Sequence, residues 1–216
     1  MTQPDPLADM LNLAQRLALS YAPARGRAGV LGLLALDNRL ATILRAGGEP
    51  VMAQIKLAWW RDRLRENPQA WSAGEPLLQA LRHWPADPAQ LVPLVDGWEA
   101  LLAEDLTMAA IEEFAQGRAA AWAALAGQGH QAAVQAAARS WALADLALNL
   151  GKGDEAAAAR RLALASKAAP TRLPRRVRPL AVLAALTRRA LIRDSGDLLD
   201  GPMAGLIALR IGLFGR

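Results

Sequence analysis

The sequence predicts an all-α fold, and three observations lead there. Apolar residues recur at three- and four-residue spacing almost throughout. Ala and Leu dominate, and no stretch alternates apolar and polar residues with the β-branched side chains of a strand. With 216 residues, 53% of them hydrophobic, and no break in composition, the chain is expected to form one domain over residues 1–216.

The first helix is expected from about Leu7 to near Ser20, with Asp5 and Pro6 as cap and first-turn residues. The segment YAPARGR breaks it, and a second helix covers about Ala28 to Ala46 before the stop signal GGEP. MAQIKLAWWRDRL, Met52 to Leu64, forms a third helix that ends before ENP. At roughly 100° per residue, Met52, Ile55 and Trp59 make one apolar stripe and Leu57, Trp60 and Leu64 another. Two stripes predict an interior helix with neighbours on both sides, and Gln54, Arg61 and Arg65 share the gap between them. A shorter helix is expected near Pro76 to Trp84, with PADP as punctuation. Helices near Pro88 to Glu104, Thr107 to Ala126 and Gln131 to Leu150 follow, joined at Asp105 or Thr107 and at GQG. After GKGD come a short helix near Glu155 to Lys167, the loop AAPTRLP, a helix near Arg176 to Arg193 and a last one near Pro202 to Phe214. No internal repeat of fixed period is present.

Composition removes several chemistries. The absence of cysteine excludes disulfides, thiolate metal sites and cysteine nucleophiles, and His83 and His130, far apart in sequence, argue against a histidine metal site. The opening MTQPDPLADM has no basic segment followed by an apolar one, so a cytoplasmic location is expected. A charge-free run from Ala119 to Ala138 has about the length of a membrane span, but its Ala, Gly and Gln content suits a tightly packed soluble helix better. The net charge of +5 is uneven. Residues 1–150 hold 12 Lys and Arg against 15 Asp and Glu, net −3, and residues 151–216 hold 13 against 5, net +8. Such a basic C-terminal third can meet anionic lipid headgroups, diphosphates or nucleic acid, or can be a solvated face. Within it, RLPRRVRP, Arg172 to Pro179, lacks an aromatic for base stacking and suits an anionic membrane surface better, so no nucleic-acid partner is expected.

The stretch LSYAPARGRAGVLGLLALDNRLATILRAGGEPVMAQIKLAWWRDRL resembles the amino-terminal part of the squalene/phytoene synthase family, whose members carry an Ala-Leu-rich helix, a Glu-Pro turn and a helix ending in Trp-Trp-Arg-Asp. LVDGWEALLAED with EEFAQGRAAAWAALAG is similar to the family's middle helices, RSWALADLALNLG to its second aspartate-bearing helix, and LPRRVRPLAVLAALTRRAL with GPMAGLIALRIGLFGR to its closing helices. This resemblance implies an isoprenoid-synthase-like helical bundle around a central cavity. It further implies that active members condense prenyl diphosphates head to head, with Mg2+ held by two Asp-x-x-x-Asp segments on facing helices. Carboxylates four apart share one helix face, and hard oxygen ligands hold Mg2+ against departing phosphate.

This sequence departs from that pattern. The first acidic segment falls near Ala41, Thr42 and Arg45, none a carboxylate, and leaves Asp37 alone on its helix. The second reads Asp145-Leu-Ala-Leu-Asn149, one carboxylate and one amide, with Asp154 and Glu155 beyond two glycines and out of register. Asp37, Asp145 and Asn149 are thus the candidate residual acidic site, and Mg2+ is the implied metal only of an active member. Asp145 on an Ala-Leu face needs a partner, for which Arg61 or Arg139 are candidates. Arg61 and Arg45 are candidate diphosphate ligands, since arginine grips phosphate bidentately; Arg61 can equally pair with Asp62 or another acid. Trp59 and Trp60 are core residues or line a cavity against a lipid chain. Asp194, Asp197 and Asp200 read as turn and cap residues.

The expectation is a non-catalytic member of this family that binds or assembles, peripheral at the inner membrane. The precedent is a degenerate mitochondrial member that serves complex I assembly. Its ligands would be a prenyl diphosphate or lipid, an anionic membrane surface or a protein partner. The alternative is a prenyl-diphosphate transferase or prenyl-lipid binder with altered Mg2+ ligation.

Overall fold

The computed structural model describes residues 6–150, 153–166 and 172–215. Local chemistry sets its first elements. Asn12 accepts from the Gln15 amide while the Gln15 side chain takes the Asn12 N–H, a reciprocal capping box that starts α1, Leu13–Ser20. The single helix expected from Leu7 is therefore a 3-10 turn, Ala8–Met10, followed by α1. Pro23, with φ −65°, pre-sets the entry to α2, Ala24–Arg45, one turn earlier than expected. Pro50 opens α3, Pro50–Arg65, and Pro76 opens α4, Pro76–Leu81.

The helix expected from Pro88 to Glu104 is two elements. Asp87 caps a 3-10 turn at Pro88–Leu91, and α5 runs over Val92–Ala100. Thr107 caps α6, Met108–Ala124, and α7 covers Gln131–Asn149. Between them Gly127 and Gly129 take φ of +76° and +79°, so the charge-free run from Ala119 to Ala138 bends back on itself. The chain closes with α8, Asp154–Ala165, α9, Arg178–Arg193, and α10, Pro202–Phe214. Lys167, in the expected end of α8, and Asp5 lie outside the described residues. The described residues are all-helical, with no strand, and none of their helices is long and apolar enough to cross a membrane.

α6 lies between α5 and α7, α7 also touches α8 and α9, and α9 carries α10 and α1. α2 runs beside α3, α4 and α5. Helices approach most closely where they lack side chains. A Cβ on Gly117 would overlap the Pro93 carbonyl, and one on Gly97 would stand 3.0 Å from the Phe114 Cα, so α5 and α6 meet backbone to backbone. Gly212 of α10 similarly sits on the ring of Tyr21. One contiguous apolar core runs through these contacts from Leu7 to Ala208.

α3 corrects an expectation. Leu57, Trp60 and Leu64 are buried, but Met52, Ile55 and Trp59 are 51%, 57% and 42% exposed. α3 is a one-sided surface helix rather than an interior one, because its neighbours α2, α5 and the Pro88–Leu91 turn cover only the Leu57 stripe.

Candidate functional site

Four helices bring charged and aromatic side chains to one point. α6 carries Arg118 on the face it shares with Phe114 and Trp122, one turn to either side. The Arg118 guanidinium forks onto Asp37 of α2, with Nε 3.0 Å from Oδ1 and Nη2 2.9 Å from Oδ2. Its remaining nitrogen, Nη1, donates to Oδ2 of Asp145 on α7 at 2.6 Å. Trp98 of α5 completes Asp37 by donating its indole N–H to Oδ1 at 2.7 Å.

The rings of Trp98, Phe114 and Trp141 surround the guanidinium carbon at 5.2, 4.7 and 4.6 Å, close enough for attraction between the cation and each ring's quadrupole. Trp98 and Phe114 pack edge to face, as do Trp122 and Trp141. Asp37 and Arg118 are buried, and only Asp145 keeps partial contact with water. Burial pushes the Asp37 carboxyl above its ordinary value, against the pull of Arg118 and Trp98. For Arg118 burial works against the charge as well, but Asp37 and Asp145 outweigh it and hold the guanidinium above its usual range. The charges are therefore kept in the interior by each other.

Asp37 and Asp145 are brought together through a shared arginine. The arginine between them is neither of those expected. Arg61 instead spans two acids of α5, with Nε 2.7 Å from Asp96 and Nη2 donating to Glu99. Arg139 forks onto Glu112 of α6 at 2.7 and 2.5 Å. Arg45 is exposed at the end of α2, two turns beyond Asp37, and stays clear of the centre. Asn149 is exposed too and donates to the Asp145 carbonyl at 2.8 Å, bracing the last turn of α7 rather than joining the carboxylates. Glu155 accepts from the Leu106 amide at 3.2 Å, so it does not reach back towards Asp145.

Trp60 is buried and meets Trp59 edge to face at 5.0 Å, while Trp59 lies on the surface under Arg63 and lines no cavity at this centre. Asp194 ends α9 as a left-handed C-cap residue and Asp197 accepts from the Leu199 amide at 2.8 Å, the turn roles expected of them, while Asp194 also pairs with Arg160 at 2.8 Å. Arg118 itself went unmarked in the sequence. Its signal was available: a lone arginine with an aromatic one turn before and another one turn after is bound for the interior and must find a carboxylate there.

The donor set does not suit Mg2+. Both oxygens of Asp37 are engaged, a guanidinium lies where a cation would have to sit, and the described residues hold no group of three or more metal-binding side chains. Chemically the centre is a closed, charge-paired knot with its donors already committed. Comparison with family models, with curated proteins and with solved structures returns no match to this chain.

Proposed function

We propose that this chain is a non-catalytic protein of the squalene/phytoene synthase type, built on an isoprenoid-synthase-like bundle and acting by binding or assembly at an anionic membrane surface. The observation that carries this reading is Arg118. In an ionising prenyl synthase two acidic helices must present open carboxylates to Mg2+ and diphosphate. Here the two carboxylates that face each other are both tied to one guanidinium, and three aromatic rings fill the space around it.

The membrane part of the reading rests on α10. Its inward face is Ala204, Ala208 and Gly212, while Met203, Leu206, Leu209, Leu213 and Phe214 are all about half exposed or more. Arg210 lies among them, on the chain's basic third. An exposed apolar helix face beside cations is suited to the boundary between headgroups and acyl chains.

Diphosphate release from labelled farnesyl and geranylgeranyl diphosphate with Mg2+, in the presence of folded, helical protein, tests the proposal. No turnover is expected. Turnover that disappears in Asp145→Ala would overturn it in favour of a transferase with altered ligation.

A further inference from the structure

A second place of interest is a cleft at the N-terminal start of α2. It has a volume of about 710 Å³ and is lined by Arg25, Arg175, Arg176, His83, His130 and Gln128 among backbone and apolar groups, with no Asp or Glu. Among the described residues, none of these three arginines forms an ion pair. Both histidines of the chain, 47 positions apart in sequence, meet here.

The backbone adds to this charge. α2 and α7 both start at the cleft, after Pro23 and His130, and neither N-cap residue offers a side-chain cap to the free N–H groups of the first turn. The wall is built by close approach. Gly29 lets α2 lie against Leu125 and Pro85, and Gly127, at φ +76°, leaves room for the Arg176 guanidinium, which a Cβ would meet at 2.8 Å.

We propose that this cleft is a binding site for a phosphate-bearing anion, either a free diphosphate or the phosphate headgroup of an anionic lipid. Arginines supply bidentate donors, the histidines and Gln128 supply further N–H groups, and the two helix starts favour negative charge. The cleft's α2 residues, Arg25 to Gly29, lie 12 to 8 residues before Asp37, roughly 12–18 Å along the helix at 1.5 Å per residue, and none of the lining residues belongs to the Arg118 centre.

The test is calorimetric titration of the full chain with inorganic pyrophosphate, beside co-sedimentation with phosphatidylcholine vesicles that contain or lack phosphatidic acid. Three proteins are compared: wild type, Arg25→Gln with Arg175→Gln, and a control of equal charge, Arg161→Gln with Arg188→Gln. All four substituted arginines are exposed, so each variant is expected to fold. Affinity for pyrophosphate about tenfold weaker in the cleft variant, with the control unchanged, assigns a free-phosphate site. Loss of binding to phosphatidic acid vesicles in the cleft variant alone, with pyrophosphate inert, assigns a lipid headgroup. Equal losses in both variants, equal binding by cleft variant and wild type, or no binding of either probe by helical wild-type protein would each overturn the proposal.

Discussion

Arg118 is the residue on which the interior turns. Replacing it by alanine leaves Asp37 buried without its counter-charge, and removing one partner of a buried pair typically costs about 3–5 kcal/mol. Urea denaturation of Arg118→Ala should therefore show a loss of that order. Asp37→Leu combined with Arg118→Met should recover much of it, because an apolar pair of similar volume has no charge to desolvate and Asp145 can still reach water. A second pair predicts a pH effect. Arg139 hydrogen-bonds Glu112 and holds its carboxyl below the ordinary glutamate value, so the unfolded chain takes up the proton at higher pH than the folded one does. The pair's contribution is present at neutral pH and is lost as pH falls through the folded-state value. In thermal melts of wild type and Glu112→Gln, the gap in Tm should be open at neutral pH and close in acid.

At the level of elements, α3 shows how far periodicity reaches. Apolar residues at the correct spacing marked the helix and its ends within two residues, yet both stripes obeyed the same spacing and only one is covered. A pattern states which residues share a face, while burial depends on which other helices arrive there. Two adjacent tryptophans therefore have different energetic weight. Trp60→Ala, in the core, should cost about 3–5 kcal/mol, whereas Trp59→Ala should cost about 1 kcal/mol, the edge-to-face contact with Trp60 being its main tie. Chemical denaturation of the two single variants checks the contrast. The segments expected from Leu7 and from Pro88 failed as single helices for a related reason. Asn12 caps a new helix inside the first segment, and in the second Pro93, in the first turn of α5, has no N–H to give the Ala89 carbonyl, so Pro88–Leu91 stays a 3-10 turn; apolar spacing shows neither break.

For the whole molecule, α10 is the element that, among the described residues, exposes the most large apolar side chains. Its inner face is small residues seated on α9 and on Tyr21, which leaves the large apolar side chains outside. Leu206→Gln with Leu213→Gln should leave the helical content and Tm close to wild type while weakening co-sedimentation with anionic vesicles several-fold, since each removes apolar area from the exposed side that we propose meets the membrane. Binding unchanged in that variant would remove α10 from the membrane reading.

Periodicity and punctuation were enough for the all-helical class and for most helix ends, because 3.6-residue spacing, prolines at first turns and glycines at stops are local properties of the chain. The carboxylates at 37 and 145 were also singled out, Asp37 through the register of the resembled family and Asp145 in addition as a charge on an Ala-Leu face. What joins them was not visible. Arg118 lies 81 residues from Asp37 and 27 from Asp145, and His83 and His130 share a cleft only because the segment after α4, the start of α2 and the join of α6 and α7 pack together there. Hydrogen bonds and ion pairs act over about 3 Å, and only the packed helices decide which side chains come within that distance. Residue chemistry dictates which side chains need partners; the packing of the helices chooses the partners.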